Sequence, residues 1–124
     1  MNMLSMYALI GAYKQEGHEW VDELNKVLSE NMNYATNFIK EHFKGVVFSP
    51  PQGTYMLFID CTEWCKEHNK TIEDVEKACW KVGVALQDGK MFHGPCHLRL
   101  NVALPHSKVK EAFDRLDKYV FNPK

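Results

Sequence analysis

The chain has 124 residues, enough for one domain whose core needs neither disulfides nor metal to hold it. Its formal net charge of -1 at pH 7 excludes bulk attraction to nucleic acid or to an anionic membrane. Its uninterrupted apolar runs are only a few residues long, too short for a membrane span or a signal peptide.

The first element predicted is a helix over residues 4–16, with Leu4, Met6, Ala8, Leu9, Ala12 and Tyr13 in a loose helical pattern that Gly17 interrupts. A longer helix follows. Trp20, Leu24, Val27, Leu28, Tyr34, Ala35, Phe38 and Ile39 recur at three- and four-residue steps, with Asn31 as the one polar residue among them, and Gly45 is its stop. Val46-Val47-Phe48 is a short strand candidate before Pro50-Pro51. The nearly unbroken apolar run from Thr54 to Asp60 predicts a central strand covered on both faces, with Tyr55, Leu57 and Ile59 in the sheet core.

Residues 71–82 restart a helix. Thr71 with Asp74 resembles a capping box, and Ile72, Val75, Ala78, Cys79 and Val82 form its apolar stripe. Val84-Ala85-Leu86 is a further short strand, and Asp88-Gly89 a turn signal. From His97 to Ala103 the pattern alternates strictly, setting Leu98, Leu100 and Val102 on one face and His97, Arg99 and Asn101 on the other. The last helix carries Val109, Ala112, Phe113, Leu116, Tyr119 and Val120, with Ser107 as its N-cap. The order α–α–β–β–α–β–β–α predicts a single α+β domain over residues 1–124, a small mixed or antiparallel sheet covered on one side by helices.

Arg99 is the most informative residue. Mid-strand, with Asn101 beside it, its planar guanidinium could hold a carboxylate through two parallel hydrogen bonds, Asn101 supporting. On spacing alone, a solvated arginine on a wet sheet face is the better account of it. His93, Cys96 and His97 form a His-x-x-Cys-His cluster of zinc-ligand type, but Cys61, Cys65 and His68, which would have to complete it, lie on a separate segment, and no metal site is assigned. A Cys–His nucleophilic pair in the same segment lacks an orienting third group. Acidic residues such as Asp22, Glu23 and Glu30 read as a solvated helix face. With no secretory signal, Cys61, Cys65, Cys79 and Cys96 read as reduced thiols of a cytoplasmic protein.

Three segments in order carry a family resemblance. They are Asn2-Met3-Leu4-Ser5 running to Ala12-Tyr13, Gly17 and Trp20; Gly53-Thr54-Tyr55-Met56-Leu57-Phe58-Ile59-Asp60; and Gly89 and Phe92 followed by Arg99-Leu100-Asn101-Val102-Ala103-Leu104-Pro105. Together they resemble the C-terminal small domain of fold-type I, pyridoxal-phosphate (PLP) dependent class I/II aminotransferases, on the MalY/PatB cystathionine beta-lyase-like branch. The resemblance covers almost the whole chain. The stretch between Phe92 and Arg99 is shorter than the family's glycine-rich one.

The resemblance implies that Arg99 binds the α-carboxylate of an amino-acid substrate, with Asn101 in support. It implies PLP in a full-length parent, held by a large domain that contributes the cofactor-bearing lysine. No catalytic or cofactor-binding residue has a counterpart in this chain, so it is expected to bind no PLP and to be inactive alone. Its partners would be that large domain, the substrate carboxylate and, in the parent, a second copy in a homodimer. Met1 stands close to where large and small domains meet, so the chain reads as a detached small domain. A standalone, non-catalytic interaction domain derived from the same fold is the alternative, and the reading frame upstream of Met1 separates the two. The apolar first helix is expected to self-associate or fray.

Overall fold

The structure, a computed structural model, describes residues 2–123. Its elements in chain order are α1 (Met3–Ala12), α2 (Gln15–His42), β1 (Val47–Phe48), β2 (Met56–Asp60), α3 (Thr62–Glu67), α4 (Ile72–Lys81), β3 (Gln87–Asp88), β4 (His97–Asn101) and α5 (His106–Leu116). A 3-10 turn over Lys90–Phe92 precedes β4, and a π-helical turn over Asp117–Phe121 follows α5. No helix among the described residues is long and apolar enough to cross a membrane.

The four strands form one antiparallel sheet in the order β1-β2-β4-β3. Leu57 and Ile59 of β2 and Leu98 and Leu100 of β4 are buried on one face. Against it pack Ala35, Ile39 and Phe43 at the end of α2, Val75 and Cys79 of α4, and Val109, Phe113 and Leu116 of α5. This is the α+β layer that the pattern predicts, helices on one side of a small sheet.

The expectation that β2 is covered on both faces is corrected. Its burial alternates, with Met56, Phe58 and Asp60 only half-buried, and Tyr55, expected in the core, lies before the strand and is 44% exposed. Apolar Met56 and Phe58 sit on the open face, which is why the run reads as continuous although only one side meets helices.

Other boundaries shift for local reasons. Gly17 does not break the first helix. Lys14, extended at φ -80 and ψ 169, makes the break, and Gly17 lies inside the first turn of α2. A Cβ on Gly17 would stand 2.0 Å from the carbonyl oxygen of Ala12, so the glycine is what lets α2 begin directly against the end of α1. Val84-Ala85-Leu86 is not a strand. The Val84 N–H closes the end of α4 on the Cys79 carbonyl, and the ladder to β4 begins only at Gln87. Ser107 is not the N-cap of α5. Pro105 takes that place and its carbonyl accepts the first helical bonds, from Lys108 and Val109.

The sequence reading has no counterpart for α3. Its start is signalled by Asp60, whose Oδ1 accepts from both the backbone N–H and the hydroxyl of Thr62, at 2.8 and 2.5 Å. Burial by itself would push the Asp60 carboxyl up. The Thr62 bonds, with His97 and Lys66 nearby, outweigh it and hold the group below the usual carboxylate range. The capping box of α4 is present in full, Asp74 N–H to the Thr71 hydroxyl and Thr71 N–H to the Asp74 carboxylate.

Asn31 binds the layers together. It is fully buried, and its Nδ2 donates to the carbonyls of Val102 and Leu104, at 2.9 and 2.8 Å, while its Oδ1 faces His106 Nδ1 at 2.8 Å. The polar interruption of the α2 stripe is therefore the link between α2 and the segment joining β4 to α5. The N-terminal half of the same stripe stays uncovered, with Trp20, Val21, Leu24 and Val27 exposed, and α1 buries no residue.

One consequence is measurable. Amides of residues 6–12 should exchange with solvent hydrogen with little protection, while those of residues 35–43 are protected to near the global stability. Equal protection in both stretches would show that α1 is covered in solution, as the self-association expected of it would require.

The open face of the sheet and Arg99

The antiparallel registers lay three side chains in one row across the open face. Phe58 of β2 pairs with Arg99 of β4, and Arg99 pairs with Gln87 of β3. Directly opposed residues of an antiparallel pair share a face, so the three are in reach of one another. Arg99 Nη1 donates to Gln87 Oε1 at 2.7 Å, and its guanidinium carbon stands 3.9 Å from the centre of the Phe92 ring. The group is thus held at its edge by an amide and on its face by an aromatic ring.

The next pair along is Asp60 and His97. The His97 ring stacks on Phe58 at 4.6 Å between centroids, its Nε2 lies 4.0 Å from Asp60 Oδ2, and its buried Nδ1 has no hydrogen-bond partner among the described residues. The loop between β3 and β4 folds tightly over these groups. A Cβ on Gly94 would approach Phe58 Cζ to 2.4 Å and the His97 ring to 2.7 Å, so only glycine fits there.

Of the residues singled out from sequence, Arg99 and Asn101 share the open face as the alternation requires. Asn101 Oδ1, however, accepts from the Ala103 backbone N–H at 2.8 Å and serves the turn that leaves β4. The side chain that holds Arg99 is Gln87, which sequence reasoning missed. The only signal for it is the strand register, invisible in a two-residue polar strand. A cavity of about 490 Å³ lies on the opposite, helix side, lined by residues such as Leu86, Leu100, Val109 and Leu116, away from Arg99.

Two of the cysteines on separate segments, Cys61 and Cys96, come together. The Cys61 N–H donates to the Cys96 carbonyl at 2.9 Å, where the end of β2 lies beside the start of β4. Burial, with Cys96 nearby, pushes the Cys65 thiol up to about 12, and burial pushes Cys79 up to about 12 and also raises Cys61. Among the described residues no three His, Cys, Asp or Glu side chains converge as a metal site.

Residues 4–116 match the family described as Aminotransferase class I and II. The chain belongs to this family. A protein of Mycobacterium leprae (strain TN) that bears a cystathionine beta-lyase name is 31% identical over 117 residues, covering 86% of this chain and 29% of its own. Protein MalY of Escherichia coli (strain K12) is 28% identical over 114 residues, 89% of this chain and 28% of its own. Among solved structures, the PLP-bound C-S lyase from Staphylococcus hominis superposes with a TM-score of 0.80 at 25% identity, over 94% of this chain and 30% of that one. The chain therefore spans under a third of the length of each of these relatives.

Proposed function

We propose that this chain is the C-terminal small domain of a PLP-dependent aminotransferase or carbon–sulfur beta-lyase, and that Arg99 binds the α-carboxylate of its amino-acid substrate. The observation that carries this reading is the seating of Arg99. A guanidinium clamped by Gln87 and Phe92 has lost much of the freedom that a carboxylate would otherwise have to remove, so it is prepared to bind a planar anion. The half-exposed row of Phe58 and Arg99 suits a face that a second surface, the large domain of the whole enzyme, would close.

The residues around Arg99 do not form a seat for the cofactor. They are a guanidinium, two amides and aromatic rings, and Lys90, close to Arg99 in the chain, is ion-paired with Glu73 and Asp88. PLP supplies an electron sink for the substrate α-carbon. Its phosphate, its ring and the lysine that carries it are assigned to the large domain, and the whole enzyme to a homodimer acting on amino acids.

The experiment is borohydride reduction of the whole PLP-loaded enzyme, followed by peptide mapping. The expected result is a single labelled lysine outside the 124-residue sequence. Stoichiometric labelling of one lysine within them would sink the assignment.

A further inference from the structure

We infer that Gln87 is a positioning residue for Arg99, and through it a determinant of the preference for substrates bearing an α-carboxylate. The inference rests on the reading of Arg99 given above and adds the residue that makes the guanidinium directional. A guanidinium presents five N–H donors in one plane, and a carboxylate uses two parallel ones. An arginine free to turn about its side-chain bonds offers that edge only part of the time. Here the plane is set by the Phe92 ring at 3.9 Å, and rotation within the plane is set by Gln87 Oε1, which takes a hydrogen of Nη1 at 2.7 Å. Either contact alone leaves one rotation open; together they leave the remaining N–H groups in one orientation.

The position of Gln87 explains why it can do this. β3 is only Gln87–Asp88, and it pairs with β4 in the register Gln87↔Arg99 and Asp88↔Leu98. The ladder puts Gln87 directly opposite Arg99, and Asp88 Oδ1 accepts from the Lys90 N–H at 2.9 Å, fixing the turn that leads to Phe92. One short segment thus delivers both halves of the clamp. Glutamine also suits the role chemically, because a neutral amide orients the guanidinium without cancelling its charge, and its Nε2 hydrogens remain donors toward an anion. A glutamate there would satisfy the same geometry and compete with the substrate for the positive charge.

The test compares wild type, Gln87→Leu, Gln87→Glu and Arg99→Ala in the whole PLP-loaded enzyme. Two quantities are read: the equilibrium dissociation constant of a non-reacting amino-acid inhibitor and of its decarboxylated amine, by spectral titration, and the steady-state kcat and KM of an amino-acid substrate. Gln87→Leu should weaken the amino-acid ligand about tenfold, the worth of one hydrogen bond to a charged group, and leave the amine unchanged. Gln87→Glu should weaken it more than Gln87→Leu, again sparing the amine, with the loss appearing in KM before kcat. A residue serving only the fold would move both ligands alike and would not rank Glu below Leu. If both Gln87 variants bind the amino acid as wild type does while Arg99→Ala does not, the positioning role is overturned and the Arg99 reading stands. If Arg99→Ala leaves the preference for amino acid over amine intact, the Arg99 reading falls and Gln87 falls with it.

Discussion

Replacing Arg99 by alanine in the whole enzyme is expected to lower kcat/KM for an amino-acid substrate by about two to four decades. A charge-assisted bidentate pair is stronger than a neutral hydrogen bond, and loss of one partner of a water-shielded charge pair costs roughly 3–5 kcal/mol. The full effect requires that the closed site exclude water, since Arg99 is only half-buried in this chain. Arg99→Lys should recover a minor part, because an ammonium brings the charge but not the planar fork, and it would not reproduce the seating on Phe92 and Gln87. PLP affinity should hardly change. The amine formed by removing the α-carboxylate provides the control, and its turnover should be nearly insensitive to either substitution. Equal losses for amino acid and amine would make Arg99 a structural residue.

The second large effect is on stability. In this chain Asn31→Ala should cost about 3 kcal/mol and lower Tm by roughly 10 °C. The substitution leaves the Val102 and Leu104 carbonyls and the His106 ring without their partner, the Val102 contact buried and the other two partly so. An unsatisfied buried acceptor carries its desolvation penalty, which is larger than the net worth of the bond that was lost. Asn31→Asp should be at least as damaging, since a carboxylate cannot donate to either carbonyl and would bring a negative charge against both. His106→Ala, which removes one bond of the node and leaves both carbonyl contacts, should cost about 1 kcal/mol. Thermal and urea unfolding monitored by circular dichroism measures all three. A loss below about 0.5 kcal/mol for Asn31→Ala would mean that solvent reaches the node and replaces the amide.

Local patterns made much of this protein legible in advance. Strict alternation from His97 to Val102 assigned Arg99 to the face opposite Leu98 and Leu100, because successive strand residues point to opposite sides whatever the sheet partners are. Thr71 and Asp74 announced the start of α4 because a capping box is closed within four residues. The family resemblance was legible for a related reason, since its blocks lie in continuous segments.

What the tertiary structure alone decided are the partners. The apolar stripe of α2 reads as uniform along its length, yet only its C-terminal half meets the sheet, and the most consequential residue in the stripe is polar Asn31, which answers carbonyls more than seventy positions away. Gln87 has no pattern of its own. It matters because β3 pairs with β4 in one register, which puts it opposite Arg99. Cys61 and Cys96 meet because the end of β2 lies beside the start of β4. Periodicity records which way a side chain faces from its own backbone. What it faces depends on how distant segments pair, and that is settled by the burial and hydrogen bonding of the whole chain at once.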